Sequence, residues 1–379
     1  MDFKRIFIKE ACPTKIGGQA VIEGIMMKGE GRTSIVVRLA NGKMFIKTQL
    51  QKAKESKAAK IPIIRGIVIF VDSMVTGMKT LTYSAEILEK YDEVLDEEEG
   101  QGQGLDSAEE IPVIAASEPQ STEAKEPENS KGFGLAIIGA VVIALVFVVG
   151  IFIIVPTIVV NFADNFISSS VLLNIFEGLF RIVLFVLYIV LISKMKDIQT
   201  VFQFHGAEHQ TIHCFEGGLE LTPENAETYE TLHPRCGTSF LMFVMIISLL
   251  LFSLLGWPNL LMRIASRLLL IPIIAGLSYE LLKFAGKSDN ILVEILSVPG
   301  LLLQKLTTRK PDHAQLEVAI AALKAVLVDE GKPEIEGFCD KNGELLPEES
   351  GLEKCSEAGM TGIKKDIEEI IEITEETFA

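Results

Sequence analysis

The chain contains little histidine, tryptophan or cysteine: its 379 residues include five His, one Trp and five Cys. The cysteines are odd in number and widely scattered, and Met1 to Ala11 has no apolar core of a secretory signal. We therefore expect free thiols in a reducing compartment and no disulfide framework. The sequence also lacks a phosphate-binding glycine fingerprint, a nucleophile elbow and a Cys-x-x-Cys pair. It predicts no nucleotide site, and we expect no nucleic-acid partner.

Charge and hydropathy are separated along the chain, which has a net charge of -16 and a mean hydropathy of +0.36. Residues 92–130 hold thirteen acidic residues against one lysine, and residues 327–379 hold sixteen against five. Residues 92–131 are also rich in Gln, Ser and Pro, and such a segment buries too little apolar surface to offset its chain entropy. We predict a disordered acidic linker at 92–131 and an acidic C-terminal extension at 327–379.

Residues 1–91 are predicted to form a β-rich region followed by a basic amphipathic helix. Alternating apolar runs flank Asn41-Gly42, a strong signal for a β-hairpin because both residues tolerate positive φ. The apolar stretch 61–88 follows a lysine-rich segment and is interrupted by charges at near-helical spacing. This pattern favours an amphipathic helix over a true span, either on a membrane surface, attracted to anionic lipids, or against the helix bundle. The alternative is a buried helix of a soluble domain.

Four long apolar segments predict an α-helical integral membrane protein with four transmembrane helices within residues 132–326. Each segment meets the length of roughly 20 residues that a membrane-spanning helix needs, the third only just. They are Phe133–Phe162, Val171–Ser193, Ser239–Gly256 and Leu260–Phe284. Lysines follow the second and fourth segments, whereas the short loops after the first and third segments contain no basic residue. The positive-inside bias therefore predicts a multi-pass protein of the cell membrane, with both termini and the loop 194–238 in the cytoplasm.

Four charges interrupt these apolar segments at helical spacing. Glu177 and Arg181 lie at i and i+4 in the second segment, and Arg263 and Arg267 do so in the fourth. Charges at such depth are costly and rarely face lipid, so we expect them to cluster between helices. The cluster would either recognise a lipid phosphate or form an intramembrane ion pair, with the remaining arginines reaching outward.

Three of the five histidines share one short stretch, His205 to His213, which also contains Glu208 and His209. In a helix, the three histidines lie at i, i+4 and i+8 and form one stripe. Two imidazoles at i and i+4 can bind one metal ion, and the neighbouring glutamate can serve as general base, as in zinc hydrolases and inverted zincins. The alternative is a polar helix whose histidines hydrogen-bond to backbone or carboxylate groups.

A second polar motif, His233-Pro234-Arg235-Cys236-Gly237, leads directly into the third apolar segment. The third metal ligand could come from His213, from His233 or Cys236, or from Glu280. Arg235 could hold an anionic substrate. On the alternative interpretation, the proline and glycine only shape the start of a helix. The predicted metal ligands are therefore His205, His209, His213, His233 and Cys236, and Glu208 is the predicted catalytic residue.

Four of these runs together resemble the YqhQ-like family of bacterial membrane proteins, which is defined by a domain of unknown function. The runs are Gly-Gly-Gln-Ala-Val-Ile-Glu-Gly-Ile-Met-Met at 17–27, His-Gly-Ala-Glu-His at 205–209, His-Pro-Arg-Cys-Gly-Thr-Ser-Phe at 233–240 and Gly-Leu-Ser-Tyr-Glu at 276–280. The resemblance covers residues 12 to 325, apart from the acidic linker. It implies a metal-dependent enzyme and names no substrate.

The sequence favours a metal-dependent hydrolase at the cytoplasmic membrane face, with a divalent metal as cofactor and zinc as the expected ion. Its expected partners are membrane lipids and a membrane-associated substrate or protein. The alternative is a non-enzymatic membrane factor, such as a transporter subunit, sensor or assembly partner, that binds a protein or lipid. The two hypotheses differ in one structural expectation. The metal-dependent hydrolase requires that His205, Glu208, His209 and the His233/Cys236 pair converge in the fold.

Overall fold

The computed structural model describes residues 6, 14–51, 61, 63–101, 139, 143–144, 146–163, 166–256, 259–285, 291–328 and 333–346. The strands are β1 (Gly17–Val21), β2 (Gly24–Lys28), β3 (Arg32–Arg38), β4 (Met44–Leu50) and β5 (Glu336–Cys339). The helices are α1 (Ile64–Gln101), α2 (Val155–Ala163), α3 (Ser170–Ile192), α4 (Lys196–Glu216), α5 (Pro223–Glu227), α6 (Thr238–Ser253), α7 (Leu260–Ala285), α8 (Ile291–Thr307) and α9 (His313–Val326), with a π-helical turn at Gly150–Ile154. Residues 102–131 of the predicted linker and 347–379 of the predicted extension lie outside the described residues.

The five strands form one antiparallel sheet in sequence order. The predicted hairpin is confirmed, because β3 pairs with β4 and Gly42 in their turn has a φ of +81°. The sheet is larger than that hairpin: β1 and β2 form a second one, and β5 pairs with β4 from within the segment predicted as the acidic extension. The chain returns to its N-terminal region through β5.

The two faces of the sheet pack against different helices. Side chains alternate along each strand, so Ile25 and Met27 of β2 face one side and Met26 faces the other. The first side packs against α9 and α4, with Phe204 of α4 fully buried there. The second side packs against Ile87 of α1. The sheet is thus sandwiched, and one of its faces fixes the position of α4.

The predicted helix over 61–88 is confirmed as part of α1, which continues to Gln101. Arg65 near its start makes a bidentate ion pair with Glu280 of α7 at 2.6–2.8 Å. Large apolar side chains repeat along one face with exposed fractions of 37–56%, as the amphipathic pattern predicted. They are Ile64, Val68, Val71, Met74, Val75, Met78 and Leu81.

Within the described residues, three helices are long and apolar enough to cross a membrane: Val146–Ala163, Ser170–Ile192 and Leu260–Phe284. The expectation of four transmembrane helices is not confirmed. The third predicted segment forms α6, which has 16 residues and a length of about 24 Å, short of a hydrocarbon core about 30 Å thick. The helix begins at Thr238, one residue before the predicted segment, but it ends at Ser253, three residues before the end of that segment.

Helices α2, α3 and α7 share a buried polar cluster. Glu177 accepts hydrogen bonds from Arg181 at 2.6 Å and from Arg267 at 2.5 Å. Arg267 also donates to Thr157 at 2.7 Å. Glu177, Arg263 and Arg267 are 1–3% exposed. The predicted ion pair is therefore present, and Arg263 and Arg267 remain buried instead of reaching outward.

Candidate metal centre

An unusually close contact with the segment that follows α8 fixes the position of helix α4. A Cβ on Gly206 would lie 2.1 Å from the carbonyl oxygen of Arg309, a distance that no side chain allows. The amide of Arg309 donates in turn to the carbonyl of Phe202 at 2.9 Å. Glycine thus lets the backbone approach the helix at the residue next to His205.

Side chains from α4 and from the loop before α6 converge on one point. The ligand atoms of His205, His209 and Cys236 all lie within 4.8 Å of one another. His205 Nε2 is 3.2 Å from Cys236 Sγ. In a tetrahedral zinc site, nitrogen and sulfur ligands are about 3.5 Å apart. The cluster therefore has close to the spacing that a metal ion requires.

Backbone carbonyls fix both imidazole rings of this cluster. His205 Nδ1 lies 2.8 Å from the carbonyl oxygen of Thr307, and His209 Nδ1 lies 2.6 Å from that of Thr231. A carbonyl only accepts hydrogen bonds, so both Nδ1 atoms carry a proton, and the two Nε2 atoms are the ring atoms left for the cluster. His209 Nε2 is buried without a hydrogen-bond partner. Carbonyl-oriented rings of this kind are typical of metal-ligating histidines.

Strand β1 reaches this cluster through Glu208. The backbone N–H of Gly18 hydrogen-bonds to the Glu208 carboxyl group, which interacts electrostatically with His205, His209 and Cys236. A Cβ on Gly18 would lie 2.9 Å from Glu208 Cδ. The sheet and α4 therefore meet at a glutamate that lies beside the cluster, and two distant sequence motifs form one site.

The loop from His233 to Cys236 is held in place by α8. Gln304 of α8 accepts a hydrogen bond from the His233 amide and donates one to the His233 carbonyl, each at 2.8 Å. Cys236 Sγ also accepts a hydrogen bond from the backbone N–H of Thr238 at 3.4 Å, at the start of α6. The loop is thus fixed at both ends, and Cys236 lies two residues before the start of α6.

The remaining predicted ligands belong to a second group. His213, Glu216 and His233 bring ligand atoms within 4.8 Å of one another, and all three side chains are buried. Glu216 accepts hydrogen bonds from Arg235 at 2.5 Å and from Thr14 at 2.7 Å. The predicted ligands are therefore divided: His205 and His209 lie with Cys236, whereas His213 and His233 lie with Glu216.

The protonation of these groups follows from burial and from their neighbours. Burial favours the neutral thiol of Cys236, but His209 and His205 outweigh it and hold the pKa well below its ordinary value. Burial lowers the pKa of His205, yet the Cys236 thiolate raises it to about 9 overall. Burial raises the pKa of Glu208, lowers that of His213 to about 4, and lowers that of His233 well below its ordinary value.

Other residues considered from the sequence lie elsewhere. Glu280, one candidate for a third ligand, pairs with Arg65. Arg235 binds Glu216, so its guanidinium is engaged within the protein. His313, the fifth histidine, pairs with partly exposed Glu227 and follows Asp312, which caps α9 and forms a capping box with Gln315.

Sequence reasoning missed Glu216 and Gly18 as parts of the site. Glu216 lies three residues after His213, so helical spacing could have placed it on the same face. Nothing in the local sequence links Gly18 to Glu208, because the contact joins residues 190 positions apart.

Comparison with known proteins identifies a family and a relative that are similar to this chain. The family described as "Protein of unknown function (DUF1385)" matches residues 61–329. "Uncharacterized protein YqhQ" from Bacillus subtilis (strain 168) is 32% identical over 325 residues, which cover 84% of this chain and 94% of that protein. No solved structure matches the chain. These similarities therefore assign no activity to the chain.

Proposed function

Because the chain belongs to the DUF1385 family of YqhQ-like proteins, whose activity is unassigned, we propose a function from its own side chains: a membrane-embedded, metal-dependent hydrolase. Its catalytic metal would be held by His205, His209 and Cys236. The observation that carries this proposal is the buried Nε2 of His209, which has no hydrogen-bond partner and belongs to a cluster of ligand atoms within 4.8 Å.

The ligand set fits zinc better than a hard cation. Imidazole nitrogen and thiolate sulfur suit Zn²⁺, whereas Mg²⁺ and Ca²⁺ prefer oxygen ligands. Three protein ligands with a remaining open position are typical of catalytic zinc sites, whereas structural sites have four. His205 and Cys236 are only partly buried, so this edge of the cluster is the one that a substrate can reach.

Glu208 would act as the general base. It lies next to His209 in sequence, interacts electrostatically with the proposed ligands, and is oriented by the Gly18 amide. A divalent metal in this site would supply Lewis acidity that lowers the pKa of a bound water. Glu208 would take the proton from the attacking water and return it to the leaving group. A Lewis-acidic metal and a glutamate that transfers the proton are the roles required for hydrolysis of an ester, amide or phosphoester bond.

The position of the site favours a membrane-associated substrate. Helix α4 begins four residues after the apolar helix α3 ends, and Cys236 comes two residues before α6. Membrane lipids would be the immediate surroundings, and the exposed apolar stripe of α1 would lie against them. By the positive-inside bias, this membrane face would be the cytoplasmic one.

The metal site is tested with the full chain in detergent, using the variants His209→Ala and His313→Ala. We expect bound zinc after purification, and in the Co²⁺-loaded protein a near-ultraviolet thiolate charge-transfer band from Cys236. His209→Ala should reduce the band at least tenfold, whereas His313→Ala, which removes an exposed histidine outside both groups, should leave it unchanged. A wild-type protein that shows no such band with Co²⁺ in excess would refute the site.

The catalytic role is tested with Glu208→Gln, which keeps the size of the side chain and removes the base. We expect the variant to retain the Co²⁺ band and to lose at least 100-fold in hydrolysis of the best substrate in a panel of chromogenic esters, amides and phosphoesters. Equal activity in Glu208→Gln and wild type would exclude Glu208 as the base. A metal-loaded protein without activity toward any substrate class would favour the alternative of a non-enzymatic membrane factor that binds a lipid or protein.

A further inference from the structure

We propose that the substrate of this centre is an amphiphile with a long apolar chain, which enters from the bilayer through an opening beside an exposed turn of α1. The inference rests on the proposed function and adds the substrate class and the entrance to it. The exposed turn comprises residues 71–75, five consecutive residues that are all exposed. Because one turn of a helix has about 3.6 residues, α1 is accessible on every side there.

On one side of the exposed turn, α1 packs against α7 and α6. A Cβ on Gly66 would lie 2.7 Å from the carbonyl oxygen of Gly276 in α7, so the two backbones are in contact. Gly276 belongs to the candidate span Leu260–Phe284. One turn further along α1, the ring of Phe70 lies 5.4 Å from that of Phe240 in α6, centroid to centroid. Lipid around α7 would therefore extend to the apolar side chains of α1.

On the other side of the exposed turn, α1 packs against strand β1. A Cβ on Gly77 would lie 2.8 Å from Gln19 Oε1. Phe70, Ser73 and Gly77 share one face of α1, because they are three and four residues apart. Ser73 is nevertheless exposed. This face of α1 is therefore uncovered between its contacts with α6 and with β1.

Both contacts of α1 lie next to parts of the metal centre. Gln19 follows Gly18, whose amide hydrogen-bonds to Glu208. Phe240 comes four residues after Cys236, which is itself only partly buried. The uncovered part of α1 therefore lies between the strand that orients the proposed base and the loop that carries a proposed metal ligand.

Open space lies beside that strand and beside that loop. Among the described residues, a Cβ on Gly17 or on Gly237 would have no neighbour within 4 Å. Gly237 follows Cys236. Gly17 pairs across the sheet with Lys28, whose Nζ lies 3.6 Å from Asp72 Oδ2 in the exposed turn. The exposed turn therefore borders an opening between Gly17 and Gly237, and this opening is the entrance.

The side chains at the entrance favour an apolar chain. Val71, Met74 and Val75 of the exposed turn are 44–56% exposed. An apolar chain that covers them removes apolar surface of both partners from water, whereas a small polar substrate gains nothing from this contact. A lipid tail can move from the bilayer to these side chains without leaving apolar surroundings. The substrate class is therefore a long-chain lipid whose ester, amide or phosphoester bond lies at its polar end.

The test uses hydroxamates, because their head group binds a metal ion and no turnover is needed. Acetohydroxamate and the hydroxamate of dodecanoic acid are titrated into the Co²⁺-loaded full chain in detergent, and the visible Co²⁺ spectrum reports binding. We expect wild type to bind the long-chain compound at least tenfold more tightly. Micelles concentrate that compound equally for every variant, so differences between variants carry the result.

Ser73→Trp fills the entrance, and Thr82→Trp is its matched control. Thr82 is also exposed and lies nine residues further along α1, on the opposite side of the helix. Ser73→Trp should lose at least tenfold in affinity for the long-chain hydroxamate, change less than threefold for acetohydroxamate and keep the Cys236 charge-transfer band. Thr82→Trp should behave like wild type. Val71→Asn/Val75→Asn removes apolar surface without adding bulk, and should lose at least threefold for the long-chain compound alone.

The outcomes separate this inference from the proposed function. The same ratio of the two affinities in wild type and every variant, with the charge-transfer band present, would refute the entrance and leave the metal site. Equal losses for both hydroxamates in Ser73→Trp, with no loss in Val71→Asn/Val75→Asn, would refute the apolar chain. No Co²⁺ band in wild type would refute the metal site itself, and this inference with it.

Discussion

At the scale of single residues, Gly206 determines how closely α4 approaches the segment after α8. Gly206→Ala would place a methyl group 2.1 Å from the Arg309 carbonyl oxygen. The helix must then move and weaken the hydrogen bond from His205 to Thr307. We expect a loss of about 1–3 kcal/mol in the free energy of unfolding and weaker Co²⁺ binding, measured by thermal unfolding and by titration of the charge-transfer band.

Gly237→Ala is the matched control for this prediction. A Cβ on Gly237 meets nothing within 4 Å, and the residue lies next to Cys236. We expect its stability and Co²⁺ affinity to stay within error of wild type. If Gly206→Ala behaved like Gly237→Ala, the close contact would have no role in positioning His205.

At the scale of secondary-structure elements, the ion pair between Arg65 and Glu280 joins α1 to α7. The pair is bidentate, and its side chains are only 24% and 27% exposed. We expect Arg65→Ala to cost about 1–3 kcal/mol, because it removes charge-assisted hydrogen bonds and leaves a partly buried carboxylate. Denaturant titration of the detergent-solubilised protein measures this change.

A second ion pair of α1 provides the comparison. Lys28 and Asp72 lie 3.6 Å apart and are 42% and 58% exposed, so water screens their interaction. We expect Asp72→Asn to change stability by less than about 0.5 kcal/mol. Equal losses in Arg65→Ala and Asp72→Asn would mean that burial of the pair at α7 does not strengthen it.

The bundle of α2, α3 and α7 depends on Glu177. Glu177→Gln would leave Arg181 and Arg267 beside a neutral amide, and an unpaired buried charge costs about 3–5 kcal/mol. We expect a large drop in resistance to unfolding by detergent. The double variant Glu177→Gln/Arg267→Met should recover part of it, because one buried charge is removed. If the single variant were as stable as wild type, these arginines would not depend on Glu177.

At the scale of the whole molecule, the expected membrane topology depends on whether α6 crosses the bilayer. Helix α6 is shorter than the three candidate spans, but as a fourth crossing it would bring both termini to the cytoplasm, as the positive-inside bias predicts. We expect alkaline phosphatase fused after Gly256 to be active and green fluorescent protein fused after Gly217 or Leu346 to fluoresce. An inactive phosphatase at Gly256 would show that α6 does not cross.

Several features followed from local sequence. Asn41-Gly42 determined a hairpin because the turn depends on the φ angles of two adjacent residues. Asp312 determined the start of α9 because an N-cap involves only residues within one turn. The i, i+4 spacing of His205 and His209 placed both on one face of α4, and length and hydropathy indicated the three candidate spans found among the described residues.

Only the tertiary structure determined which histidines lie in the same cluster as Cys236. His205 and His213 are separated by eight residues, about 12 Å along the helix axis, so one ion cannot reach both. Which of them meets Cys236 depends on how the 231–237 loop folds back and how Gln304 holds it. Likewise, only packing brought Gly18 to Glu208, Arg65 to Glu280 and β5 to the sheet. Sequence periodicity specifies neighbours within a few residues, whereas partners far apart in the chain are selected by the packing of the sheet and helices around them.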